Sequence, residues 1–316
     1  MPNQLYPVLF MLSSTFSLSL TGLFSKFLSE HFDANLLSFL RFILPAMVLL
    51  LMFIGKEVRW PDRNEQVPLW VRALCIGACQ VCFIYALQHL TLVESVVLFG
   101  TGPLFIPVLE KLIFSVHLSV VNIVGLVTTF TGVVLLAGDV SGFNFRPELL
   151  IGLGAGVFNA GSQLSLYRIS KSRLNAFEIN LWTFLYAAVV ITPLLALSLV
   201  NNQTMYQPAG TNPWLIIAVL GVLAFLIINT QVFRSKAYKL AESGSQLAPL
   251  IFTNLLFTAL WQVLFYKESY SVYQVLGLSL IIIANVACVL LPKWLKKSNL
   301  KVCLLYTSDA ADEVVG

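Results

Sequence analysis

Arg41 carries the most unusual chemistry for its surroundings. It stands in "NLLSFLRFILPAMVLLLMFI", a run with no acidic residue to neutralise a guanidinium. At the centre of a helix that crosses a bilayer, an arginine costs about 2.5–3.5 kcal/mol on insertion scales. Arg41 lies about six residues inside its run, roughly 9 Å at helical rise. At that depth it can snorkel or pair structurally, or it can line the outer mouth of a cavity.

Polar side chains recur at similar depth in other apolar runs. Ser14, Ser17 and Thr21 share one helical face, Gln80 sits alone, Asn159 and Gln163 lie one turn apart beside "GLGAG", and Thr253 is followed by Asn254. An amide facing lipid has no partner, so these side chains are expected to face inward. Each alone serves equally well as interhelical glue, at an average of about 0.6 kcal/mol per hydrogen bond in membrane bundles. Together they outline a polar pocket for a small solute.

The stretch "VESVVLFGTGPLFIPVLEKLIF" (93–114) places Gly100, Thr101, Gly102, Pro103 and Pro107 around its middle. Pro103 lacks the N–H that would bond the Phe99 carbonyl, and Pro107 likewise frees the carbonyl of Pro103. In lipid such carbonyls need a partner or a wet cavity. The expectation is an irregular helix facing the bundle interior, either lining a cavity at Gly100, Thr101 and Pro103 or packed as a simple kink. Glu110 and Lys111 fall near its inner end, where a rim position is favoured over a proton-coupling site. No carboxylate sits near the middle of any apolar run, so facilitated exchange or weak coupling is as plausible as a proton motor.

Catalysis finds no support. His31, His89 and His117 are scattered over different connections, and no Asp/Glu cluster exists. Cys75, Cys79 and Cys82 share a helical face, but zinc usually takes four deprotonated ligands and no fourth is offered nearby. They read as small packing residues, and Cys288 stands alone. No cofactor and no metal are expected.

These residues must be held by elements suited to lipid. The chain of 316 residues is 58% hydrophobic and 11% charged, with a mean hydropathy of +0.85. Soluble chains carry about 25% charged residues. The net charge of +4 is spread over short loops with no basic arm, which speaks against nucleic acid. "MPNQLY" lacks a basic region, so the first run is expected to be a retained helix rather than a cleaved signal.

Spanning requires about 20 mostly apolar residues. Ten stretches qualify: 6–28, 35–55, 68–89, 93–114, 118–138, 148–169, 177–200, 213–233, 246–266 and 271–291. With the N-terminus inside, fourteen Lys and Arg fall on the cytoplasmic side, Arg72 and Arg234 among them, and three fall outside. That bias predicts both termini in the cytoplasm. Trp60, Trp70, Trp214 and Trp294 sit at expected interfaces, whereas Trp182 and Trp261 lie deeper. The expected fold is an all-α membrane protein.

The two halves resemble each other. "YALQHLTLVESVVLFGTGPLF" and "SVVNIVGLVTTFTGVVLL" are answered by "KAYKLAESGSQLAPLIFTNLLF" and "SVYQVLGLSLIIIANVACVLL", with Ser119–Gly125 and Ser271–Gly277 offset by 152 residues. Five spans per half is an odd number, so the second copy must run inverted relative to the first. Ten transmembrane helices in two inverted five-helix repeats, with a substrate site near the midplane between them, is the expected arrangement.

The chain resembles the drug/metabolite transporter superfamily in its ten-helix, EamA-type form, over about residues 6–292. The resemblance rests on Arg41 in "FLRF", on "YALQHLTLVESVVLFGTGPLF" and "GLVTTFTGVVLL", and in the second half on "AESGSQLAPL", "LFYKES" with Glu268, and "GLSLIIIANV". The family often has a Gly-Glu-Arg-like turn thirteen residues past the helix-4 proline; here Val116 and His117 stand there, while the second-half counterpart Glu268 is present. The resemblance implies repeats over 1–140 and 146–292. It implies a secondary transporter working by alternating access, acting as an exporter of small organic metabolites. The expected location is the bacterial inner membrane, and the chain would act alone or as a homodimer. A triose-phosphate or nucleotide-sugar carrier of the same superfamily is the nearest alternative, although it would want more cationic residues in the cavity than one arginine. A membrane enzyme or a channel is the rival from another class. Metabolite, amino acid or drug-like substrates all fit such a pocket.

Two terminal segments complete the division. Residues 293–302 form a basic cytoplasmic tail. Residues 303–316, "CLLYTSDAADEVVG", read like translated sequencing-adapter sequence and are expected to be absent from the true gene product.

Overall fold

The computed structural model describes residues 5–55, 57–114, 120–136, 146–201, 206, 212–240, 250–251, 253–265, 271–273, 275–284 and 286–287. The tail at 293–316, the turn at Val116 and His117, Glu268 and Cys288 lie outside them.

The described residues form helices α1 (Leu5–Ser29), α2 (Ala34–Met52), α3 (Arg63–His89), α4 (Leu92–Phe99), α5 (Gly102–Phe114), α6 (Val120–Leu136), α7 (Pro147–Ser170), α8 (Ala176–Val200), α9 (Pro213–Leu240), α10 (Thr253–Phe265) and α11 (Val275–Ala284). Six of these, α1, α2, α3, α7, α8 and α9, are long and apolar enough to cross a membrane, and the others are shorter. Among the described residues the one strand-type pairing is an isolated antiparallel bridge between Phe32 and Tyr206.

Helix starts are written in side chains that take up orphan N–H groups. The Asp33 carboxylate accepts from Asn35 N at 2.9 Å ahead of α2. Thr91 and Glu94 cap α4 reciprocally, with Glu94 N donating to Thr91 Oγ1 at 3.1 Å and Thr91 N to Glu94 Oε2 at 2.9 Å. Asn175 and Glu178 repeat the device on α8 at 2.9 and 2.8 Å. Ahead of α3, Asp62 N donates to Glu65 Oε2 at 2.9 Å. Three buried carboxylates are thereby committed to helix starts.

The stretch 93–114 is broken. α4 ends at Gly100, whose N–H donates to Val96 O at 2.8 Å, and the chain turns at Thr101 before α5 begins.

Packing turns the usual polarity inside out. Large apolar side chains face outward, with Leu51, Val120, Val127, Leu197, Val200 and Phe225 all exposed, while Ser14, Ser17, Thr21, Ser25, Asn180 and Thr183 are buried. Lipid solvates such a surface, and backbone and side-chain polar groups must find partners within. The closest helix pairings are α3 with α7, α1 with α9, and α2 with α8. Exchanging the two halves of the chain, α1 for α7 and α3 for α9, maps the first two pairings onto each other.

Candidate functional site

α9 and α7 bring polar side chains to the centre of the bundle from the C-terminal half, and α1, α2 and α3 from the N-terminal half. There they line a small cavity. α1 contributes Leu18 and Thr21, α2 Arg41 and Phe42, and α3 Ile76, Cys79 and Gln80. Phe99 at the end of α4 closes one side. From α7 come Asn159, Ser162, Gln163 and Leu166, from α8 Phe184, and from α9 Ile227, Thr230, Gln231 and Arg234. Among the described residues the lining holds two guanidiniums and no carboxylate.

Arg41 is 5% exposed, so it is buried rather than snorkelling. Its Nη1 donates to Ser25 Oγ, which in turn donates to Thr21 O. Its Nε meets no acceptor among the described residues. Gln80 lines the cavity with a buried Oε1 that accepts from none of them.

Asn159 and Gln163 belong to a relay of amides across three helices. The Tyr238 hydroxyl on α9 donates to Gln163 Oε1 at 3.2 Å, and Gln163 Nε2 donates to Asn159 Oδ1 at 3.3 Å. Asn159 Nδ2 reaches the Phe99 carbonyl at 3.5 Å, the outer limit of a hydrogen bond. That carbonyl is the one Pro103 leaves without its helical donor. α7 gets this close because Gly156 and Gly102 lack side chains. A Cβ on Gly102 would stand 2.9 Å from Asn159 Nδ2, and one on Gly156 would run into Thr101 Oγ1 and, at 2.7 Å, Leu98 O.

The other expected site residues make contacts of their own. Ser14 Oγ donates to Thr230 O at 2.8 Å, and Ser17 Oγ accepts from Asn229 Nδ2 at 2.6 Å, both at the α1–α9 seam. Gly100, Thr101 and Pro103 form the break itself, where Thr101 Oγ1 donates to Leu98 O at 2.6 Å. Thr253 on α10 shares a hydrogen bond of 2.8 Å with Thr15, and Asn254 is buried on the same helix. Trp182 donates to Arg59 O and Trp261 to Ser19 Oγ, each at 3.0 Å, so both serve in packing. Cys75 lies against Gly161, and Cys75, Cys79 and Cys82 are free thiols.

Two arginines not expected in the site also stand here. Arg72 and Arg234, counted above on the cytoplasmic side, are 0% and 2% exposed. Arg72 Nη2 donates to Asn180 Oδ1 at 2.9 Å and to Gln231 Oε1 at 3.2 Å, tying α3 to α8 and α9. Arg72 is also within electrostatic reach of Arg234 and of the Tyr238 phenol. The signal that finds them is helical spacing. Arg72 is in register with Ile76 and Cys79, and Arg234 with Ile227, Thr230 and Tyr238, all buried. Arg72 already falls inside the expected stretch 68–89, whereas Arg234 lies one residue past 213–233 and α9 continues beyond that end to Leu240.

The EamA-like transporter family model matches the chain twice, over residues 5–138 and 146–290. The chain is 24% identical over 281 residues to a pseudopaline exporter of Pseudomonas aeruginosa, covering 89% of this chain and 94% of that protein. It is 26% identical over 208 residues to a riboflavin transporter of Brucella anthropi, covering 63% and 68%. A solved crystal structure, 19% identical, covers 93% of this chain and 98% of its own with a TM-score of 0.55, which supports the fold.

Proposed function

The chain belongs to the EamA-like transporter family, and from that premise we propose that it is a secondary carrier that binds its substrate in the central cavity and works by alternating access. It is a multi-pass membrane protein and a transporter of small molecules. The observation that carries the finer reading is the cavity itself. Both halves of the chain wall it, inside a bundle whose outer surface is apolar. A site between two repeats can open to either side as one repeat rocks against the other. The twofold family match and the exchangeable pairings α1–α9 and α3–α7 support two inverted five-helix repeats with ten spans. In that arrangement 93–114 crosses as one broken span, and the charge bias puts both termini in the cytoplasm of a bacterial inner membrane. The exporter among the relatives supports outward transport of a metabolite.

The test is counterflow. Proteoliposomes loaded with an unlabelled metabolite extract are placed in a dilute ¹³C-labelled extract of the same composition. A carrier concentrates at least one labelled metabolite transiently; a channel or an enzyme does not. Gly100→Leu at the break should abolish that overshoot while the protein remains monodisperse.

A further inference from the structure

Burying a charge without a counter-charge is expensive, with an effective penalty of several kcal/mol per ion. This protein does it three times in one place. Arg41, Arg72 and Arg234 are each at least nine-tenths buried, and none forms an ion pair among the described residues. The salt bridges among the described residues lie elsewhere, on Arg146 and Arg173. Nor do neutral acceptors satisfy the three. Arg41 Nε, Arg72 Nε and Nη1, and Arg234 Nε and Nη2 are buried donors that no described residue accepts from. Arg41 and Arg234 line the cavity directly, and Arg72 stands behind Gln231, which also lines it. The lining also includes the rings of Phe42, Phe99 and Phe184.

Resting on the carrier reading, we propose that the cavity is a site for a small organic oxyanion. The guanidiniums of Arg41 and Arg234 take its acidic group, and its apolar body lies against the three phenylalanines. Guanidiniums present paired N–H donors matched to carboxylate and phosphate oxygens, and charge-assisted bonds of this kind are about twice as strong as neutral ones. Arg72 is a positioning residue. It holds the Gln231 amide in place and adds positive potential without facing the substrate. A neutral solute would leave the buried donors unmet, and a cation would meet like charge. Selectivity therefore follows from the site's own electrostatics.

The experiment is counterflow in proteoliposomes with four matched probes, each deuterated outside and unlabelled inside, read by mass spectrometry. The probes are N-acetylphenylalanine, its neutral N-acetylphenylalaninamide, the cation phenylalaninamide, and phenyl phosphate. The expected result is exchange of one or both anions at least about tenfold faster than the amide or the cation, a difference of about 1.4 kcal/mol. Whichever anion leads assigns carboxylate or phosphate ester as the substrate chemistry. Arg41→Gln and Arg234→Gln should erase that preference. Arg41→Lys and Arg234→Lys, which keep the charge and guard against misfolding, should retain part of it. Four results overturn the proposal: exchange led by the amide or the cation, an anion preference that survives both glutamine variants, its loss in the lysine variants to the same extent as in the glutamine ones, or no exchange of any probe. In each case the carrier reading is decided separately by the metabolite-extract overshoot.

Discussion

The α3–α7 and α1–α9 seams exchange places when the two halves are swapped, yet they are built from different chemistry. α3 meets α7 through absence of side chain. A Cβ on Gly161 would stand 2.8 Å from Cys75 Sγ, and Gly154 faces Cys82. The same helix α7 approaches Leu98 and Thr101 on α4 through Gly152 and Gly156. α1 meets α9 through presence of polar groups: the Ser14 hydroxyl on Thr230 O, the Asn229 amide on Ser17, and the stacked rings of Phe10 and Phe233 with centroids 5.5 Å apart. In lipid both routes work, because helices associate either by close backbone approach or by interhelical hydrogen bonds. The lesson is that a twofold arrangement of helices does not require a twofold arrangement of contacts. The two seams should therefore fail in different ways.

The largest effect is expected where α7 closes on α4. Gly156→Leu has backbone on the far side, at Leu98 O, and cannot be absorbed by a rotamer change. It should destabilise the protein by about 1–3 kcal/mol or more and abolish transport, read as a fall in thermal midpoint in detergent and loss of counterflow. Gly161→Leu meets a side chain, Cys75. It should cost less, and Cys75→Ala in the same chain should restore part of the loss; no restoration would mean that the glycine contact is not what sets this seam.

Arg72 joins the two seams, since it starts on α3 and ends on Gln231 of α9. Arg72→Met removes a buried charge together with its two hydrogen bonds. Replacing buried ionic groups by apolar ones is often neutral or stabilising. The expected outcome is a thermal midpoint unchanged or raised, with counterflow reduced. A large drop in stability would instead make Arg72 a structural strut. The smallest effects belong to the polar seam. Ser14→Ala and Asn229→Ala should each cost about 0.6 kcal/mol, measurable by unfolding but small in transport. If either rivals Gly161→Leu, the contrast between the seams collapses.

Much of the helical layout is legible in the sequence. α7 and α8 match their expected stretches to within one residue at each end, because Pro147 and Asn175 mark sharp starts and the apolar runs fill the helices. The break near Gly100 is legible too, because Pro103 removes a specific donor. Apolar length is a poor guide where polar residues continue a helix. α9 runs on to Leu240 through "FRSKAYKL", so Arg234 and Tyr238 become buried rather than exposed in a loop. α3 starts at Arg63, set by Asp62 and Glu65 rather than by the first apolar residue. In the cavity, Arg41, Gln80, Asn159 and Gln163 could be picked out one by one from depth and side-chain type. That they meet Arg234 and Gln231 depends on how α2, α3 and α7 pack around α9, which no single run encodes.

The broken span has a consequence for the order in which the protein is made. α4 has 8 residues and α5 has 13, about 12 Å and 20 Å of helix, so in the ten-span arrangement neither crosses alone. They cross only in tandem, and the Phe99 carbonyl at their joint is met by Asn159, which the ribosome supplies sixty residues later. A backbone carbonyl left unmet in lipid costs several kcal/mol. In that arrangement the first half of the chain would wait in the membrane with its fourth crossing unfinished, and the arrival of α7 would be the event that sets it.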